Sequence, residues 1–184
     1  MELMGLYLAA ALLLALAGAA KTVRPMDTAR AVAAVVPVPL TMSRTLVRIG
    51  ALAEAAVGTA AVAHPSPVTA ELVAVSYLGF AAFVTVVLAR GGALASCGCF
   101  GKPDTPATRL HVVVNLVLAG SAVAVAATVT PGWLPAVLEL QPWHGVPLAL
   151  LSVLCAWLAF LALSRLAELA AARQLLGVTR GSAT

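Results

Sequence analysis

Residues 45–63 read TLVRIGALAEAAVGTAAVA, an apolar run of membrane-spanning length with one carboxylate, Glu54, near its middle. A spanning helix needs roughly 20 mostly apolar residues. A carboxylate in hydrocarbon is costly, so it must face the bundle interior, take up a proton or meet a partner. Gly50, Glu54 and Gly58 are spaced four apart and form one stripe, GxxxExxxG. Small residues on either side of the carboxyl let a second helix backbone come close and bury it. Arg48 lies six residues away and off that face, which makes it a poor partner. The stretch predicts a helix of a membrane bundle. Glu54 is then either a structural acid that locks helices together or a site-shaping, proton-handling residue.

The rest of the chain agrees with a bilayer as solvent. Of 184 residues, 62% are hydrophobic and only 10% charged, with a mean hydropathy of +1.04. A soluble domain of this length carries far more charge. The whole chain reads as one all-α membrane domain with short loops. A first span covers Met4 to Ala20; no positive charge precedes it, so it reads as a retained helix, the alternative being a cleaved signal ending near AGAA. Asp27 or Thr28 can cap a short interfacial helix through Val36, which Pro37 and Pro39 stop. HPSP, residues 64–67, turns the chain into a third span over Val68 to Leu88. Thr105 and Pro106 open a fourth, to about Val129. A fifth begins near Val146 and continues as a polar-faced helix through Arg165, Glu168 and Arg173.

With five spans, alternate loops share a side of the membrane. All eleven basic residues fall on one side: Lys21, Arg24, Arg30, Arg44 and Arg48 in the first connection, Arg90, Lys102 and Arg109 in the third, and Arg165, Arg173 and Arg180 in the tail. The positive-inside rule puts that side in the cytoplasm and the N-terminus outside. Trp133 and Trp143 stand in the opposite loop as interface anchors. The basic residues are scattered at helix ends without aromatic interleaving, a pattern that argues against nucleic-acid binding.

Three cysteines are too few for a disulfide framework. Cys155 lies in an apolar run and reads as packing. Cys97 and Cys99 sit one residue apart in ASCGCFGK, residues 95–102. A bridge between them would be strained and comparatively oxidising. Gly98 and Gly101, on either side of Cys99 and Phe100, relieve backbone clashes, while Lys102, Arg109 and the following helix N-terminus favour thiolate. Metal binding and a purely structural turn stay open as alternatives, although two thiolates and His111 make three plausible zinc ligands where a structural site takes four. His111 and Asn115 are four apart and share a face just inside the fourth span, where they are candidates to face the thiols. Tyr77, inside the third span, reads as packing or as a hydrogen-bond partner of Glu54 or Asn115. His64 and His144 read as solvated loop histidines.

This pattern, with a lysine after the first span, Glu54 and Gly58 as ExxxG in the second, and CGCFG before an asparagine-bearing fourth span, resembles the MauE family of DoxX-like, redox-associated membrane proteins. The resemblance covers roughly residues 1–130, leaving 131–184 as a loop, the fifth span and a polar tail. It implies a multi-pass protein of a bacterial plasma membrane that helps mature a disulfide-rich partner, in the namesake case the small subunit of methylamine dehydrogenase. It also implies a four-helix core similar to DoxX and to vitamin K epoxide reductase. By that analogy Cys97 and Cys99 are the redox pair of a thiol–disulfide oxidoreductase, and Glu54 and Asn115 occupy the family's polar positions; His111, Gly98, Phe100 and Gly101 join them as site-shaping candidates from the reading of the residues themselves. Partner thiols, on a client or a thioredoxin-like protein, supply electrons, and a quinone is a candidate acceptor. Two departures stand out. Val114 occupies the position where relatives carry arginine, and no second cysteine pair is present. The rival readings are a non-catalytic assembly factor, a metal-binding membrane protein and, more distantly, a transporter. A helper of exported proteins also implies thiols outside, against the charge count.

Overall fold

The computed structural model describes residues 2–90, 108–128, 139–140 and 142–161. The described elements are α1 (Glu2–Val23), α2 (Met26–Val35), α3 (Leu40–Ala63), α4 (Pro67–Ala89), α5 (Arg109–Thr128), a 3-10 turn (Pro142–Gly145) and α6 (Val146–Leu161). Four of these helices, α1, α3, α4 and α5, are long and apolar enough to cross a membrane. Among the described residues there is no strand.

Local sequence chemistry sets the boundaries. α4 opens on a capping box: the Thr69 N–H donates to Ser66 Oγ at 3.2 Å and the Ser66 N–H donates to Thr69 Oγ1 at 2.9 Å, with Pro67 as the first helical residue. α2 ends where Val36 turns extended ahead of Pro37, as a residue before proline prefers. Its start corrects the expectation. Pro25 occupies the N-cap position without a side-chain cap, and Asp27 lies in the first turn, 3.4 Å from Arg30. The expected boundary of α1 also moves. Thr22 and Val23 stay helical, so Lys21 lies inside the helix instead of after it.

α1 is the central helix: 61% of its apolar window is buried in the protein, against 17% to 39% for the other three spans. Tyr7, Ala10, Ala11 and Leu14 are fully enclosed. Its tightest neighbour is α3, which runs antiparallel to it. A Cβ at Gly18 would stand 2.5 Å from the Ala55 nitrogen, and one at Gly58 would stand 2.4 Å from the Ala15 nitrogen. Backbone therefore meets backbone at both points, the geometry small residues permit between membrane helices. The expected GxxxExxxG stripe is thus half right. Gly58 is a contact point, whereas a Cβ at Gly50 would meet nothing within 4 Å, and the second glycine of the crossing comes from α1.

α4 and α5 form a second extensively packed pair, with Val84 and Val87 of α4 against Val112 of α5. α6 begins at Val146 as expected, and its 16 described residues rise about 24 Å. It runs parallel to α1: Leu148 and Ser152 approach Gly5, while Trp157 and Phe160 stand opposite Leu16 and Ala20. Cys155 is free and half-buried against the core. The polar continuation of this helix through Arg165, Glu168 and Arg173 falls outside the described residues, as does Trp133; Trp143 is 80% exposed. The alternation brings Lys21, Arg24, Arg30, Arg44, Arg48, Arg90 and Arg109 to one end of the bundle, where the Arg90 guanidinium donates to the Val35 carbonyl.

Replacing Gly58 with valine is expected to lower unfolding stability by about 1–3 kcal/mol through overpacking. Gly50→Val is expected to be near neutral, because its side chain enters open space. Denaturant titration of both variants in detergent micelles checks the contrast.

Candidate functional site

The α1–α3 crossing fixes what happens one turn further along α1. Lys21 is 5% exposed although its length would let it reach water. Its ammonium forms an ion pair with Glu54 Oε2 and stands 4.5 Å from the centre of the Phe80 ring. Glu54 thus has the partner its position demands, supplied by α1 and not by Arg48. Glu54 Oε2 is buried and has no aligned hydrogen bond, so the contact with Lys21 is electrostatic. The Phe80 face adds cation–π attraction, and its edge is held by Tyr77, whose ring lies perpendicular to it at 5.8 Å. The Tyr77 hydroxyl donates to the Ala10 carbonyl at 2.7 Å. Tyr77 is therefore a bolt between α4 and α1, bonded to neither Glu54 nor Asn115.

His111 and Asn115 are both buried and share one face of α5. The Thr108 N–H donates to His111 Nδ1 at 3.3 Å, and the Thr108 hydroxyl lies 2.9 Å from the same nitrogen. The bonding pattern assigns Nδ1 as acceptor, which in the neutral ring leaves the proton on Nε2. The Asn115 amide donates to the His111 carbonyl at 2.7 Å. That bond lies within α5. α4 and α5 are antiparallel with Val112 beside Val84 and Val87, and Asn115 stands one turn further along α5 from that contact. Lys21 and Glu54 mark one polar layer, and His111 and Asn115 a second polar pair in the first two turns of α5, at the end where α4 finishes.

Residues 91–107 connect those two helices. The sequence candidates Cys97, Gly98, Cys99, Phe100 and Gly101 lie there, outside the described residues, and so do Thr105 and Pro106. The structure brings together His111 and Asn115 on α5, and pairs Glu54 with Lys21 and, through it, with Phe80. Lys21 was missed because an apolar run ending in lysine looks finished. The available signal was that Thr22 and Val23 prolong the run.

A family model described as "Methylamine utilisation protein MauE" matches residues 2–129. The chain belongs to the MauE family. The match spans α1 to α5, including every residue of the polar layer. Comparison with curated proteins and with solved structures finds no match. This MauE-family chain is a multi-pass membrane protein, and its family is one of methylamine utilisation.

The ion pair gives a direct test. Glu54→Gln strands a buried ammonium and Lys21→Met strands a buried carboxylate. Each is expected to cost roughly 3 kcal/mol or more, and the double variant Lys21→Met/Glu54→Leu to recover most of that loss, because breaking a buried pair costs more than replacing it. A double-mutant cycle from thermal or denaturant unfolding measures the coupling.

Proposed function

We propose that this MauE-family protein is a membrane thiol–disulfide oxidoreductase whose working pair is Cys97 and Cys99. The observation that supports it best is the two polar pairs at one end of the bundle. Lys21, His111 and Asn115 are buried, Glu54 is paired with Lys21, and His111 and Asn115 lie in the first two turns of the helix that follows CGCFG in the sequence. Polar and ionisable groups inside a membrane protein are costly and mark functional sites by default.

In this reading the oxidised Cys97–Cys99 bridge is attacked by a thiolate of a client or thioredoxin-like protein. A mixed disulfide forms, and the client's second thiolate then displaces the pair. The client loses two electrons and two protons and gains a disulfide, and Cys97 and Cys99 leave as thiols. A lipid-soluble quinone is the class of acceptor that restores the bridge, taking two electrons and two protons to become a quinol. In this reading Glu54, held by Lys21, and His111 with Asn115 are the residues that shape the site. The maturation of a disulfide-containing partner, of the methylamine-dehydrogenase kind, is the corresponding physiological role. By the positive-inside rule the cysteine connection faces the cytoplasm of a bacterial cell. The four-helix core is, in this reading, the counterpart of the DoxX and vitamin K epoxide reductase bundles.

The double variant Cys97→Ser/Cys99→Ser is expected to abolish oxidation of client thiols in membranes, and Glu54→Gln to slow it at least tenfold. Maleimide labelling from each side of the membrane before and after reduction reports the bridge and its side together. Full client oxidation in the double serine variant would reject the redox reading and leave a non-catalytic assembly factor or a metal-binding role. Stoichiometric metal in the purified protein would favour the latter.

A further inference from the structure

α1 carries a second stripe, which faces neither α3 nor the polar layer. Leu12, Leu16 and Ala20 line, with Ala156, Trp157 and Phe160 of α6, an apolar groove of ≈ 370 Å³. The groove exists because α6 is close to α1 mainly at one end. Leu148 and Ser152 come up against Gly5, whereas Leu16 and Trp157 remain 62% and 57% exposed further along. Four residues past Ala20 on the same stripe stands Arg24. Its N–H donates to the Ala20 carbonyl at 2.9 Å, so the helical turn runs on through it. Its side chain is exposed and has no ion-pair partner among the described residues. Asp27, the nearest acid in the sequence, is engaged by Arg30.

Dimensions and charge together specify an occupant. Between the lining residues Leu12 and Ala20 the helix rises about 12 Å, and Arg24 stands one turn, about 6 Å, beyond; a hydrocarbon leaflet is about 15 Å deep. An apolar slot with an exposed arginine one turn past its end, on the same stripe of α1, complements a lipid with an acyl chain and a negative headgroup. We propose that the α1–α6 groove is a binding site for one anionic phospholipid, with an acyl chain against Leu16 and Trp157 and the phosphate on Arg24. The site is separate from the polar layer, since Lys21 and Glu54 point to the other side of α1, and it stands whether or not the redox reading does.

Trp157 is a built-in reporter. The full chain carrying Trp133→Phe and Trp143→Phe is reconstituted in phosphatidylcholine nanodiscs with either phosphatidylglycerol or phosphatidylcholine brominated on its acyl chain. Brominated phosphatidylglycerol is expected to quench Trp157 at about fivefold lower mole fraction, the factor one interfacial basic residue supplies against an anionic lipid. Arg24→Gln is expected to erase that preference, and Ala20→Phe, which fills the groove, to reduce quenching by phosphatidylglycerol. Equal quenching by the two lipids, or a preference that survives Arg24→Gln, would overturn the proposal in favour of ordinary annular lipid. Absence of quenching by either would overturn it by showing the groove covered by protein, whether a second copy or residues 162–184.

Discussion

The contact between α1 and α3 at Gly18 and Gly58 is the constraint on which the other features rest. Between helices in hydrocarbon there is no water to expel, so association depends on close van der Waals fit and on polar contacts. Two glycines facing alanine backbone supply the fit. That closeness also sets the reach of side chains on either side of it. With the backbones in contact at Gly18, the lysine three residues on is delivered to the carboxylate of α3 instead of to the membrane surface. A wider crossing would leave both groups facing lipid.

Placing α1 at the centre has a second effect. Each of its faces serves a different neighbour: Gly18 and Ala15 for α3, Ala10 for the Tyr77 hydroxyl, Gly5 for α6. Lys21 is then enclosed by α3 on one side and by the Phe80 ring on another. The resulting layer is polar yet close to neutral, which is how a low-dielectric interior tolerates charge. In the redox reading, such a layer lets thiol chemistry proceed at one end of the bundle without opening the hydrocarbon region to water.

Much of this was legible in the sequence because length and hydropathy alone identify spans, and four of the expected spans match helices closely. Glu54 announced itself by cost, and His111 with Asn115 by spacing; all three are drawn inward. What stayed hidden was partnership. A helical stripe says which residues share a face and not which helix will meet it, so Gly50 looked equivalent to Gly58 and Arg48 was weighed while Lys21 was passed over. Asn115 could bond across helices or back to its own turn, and no periodicity distinguishes the two. The start of α2 was misjudged for a different reason: Pro25 needs no side-chain cap, whereas pattern reading looks for one. The cysteines at 97 and 99, the strongest chemical signal in the sequence, lie outside the described residues.

The Lys21–Glu54 pair also imposes an order on assembly. Synthesis delivers α1 first, and its counter-charge follows only when α3 emerges, 33 residues later. Until then the lysine has no carboxylate to meet in the membrane, so its cheapest position is at the aqueous boundary, with the helix end held shallow. The charge of the earlier helix is thus balanced only by the later one.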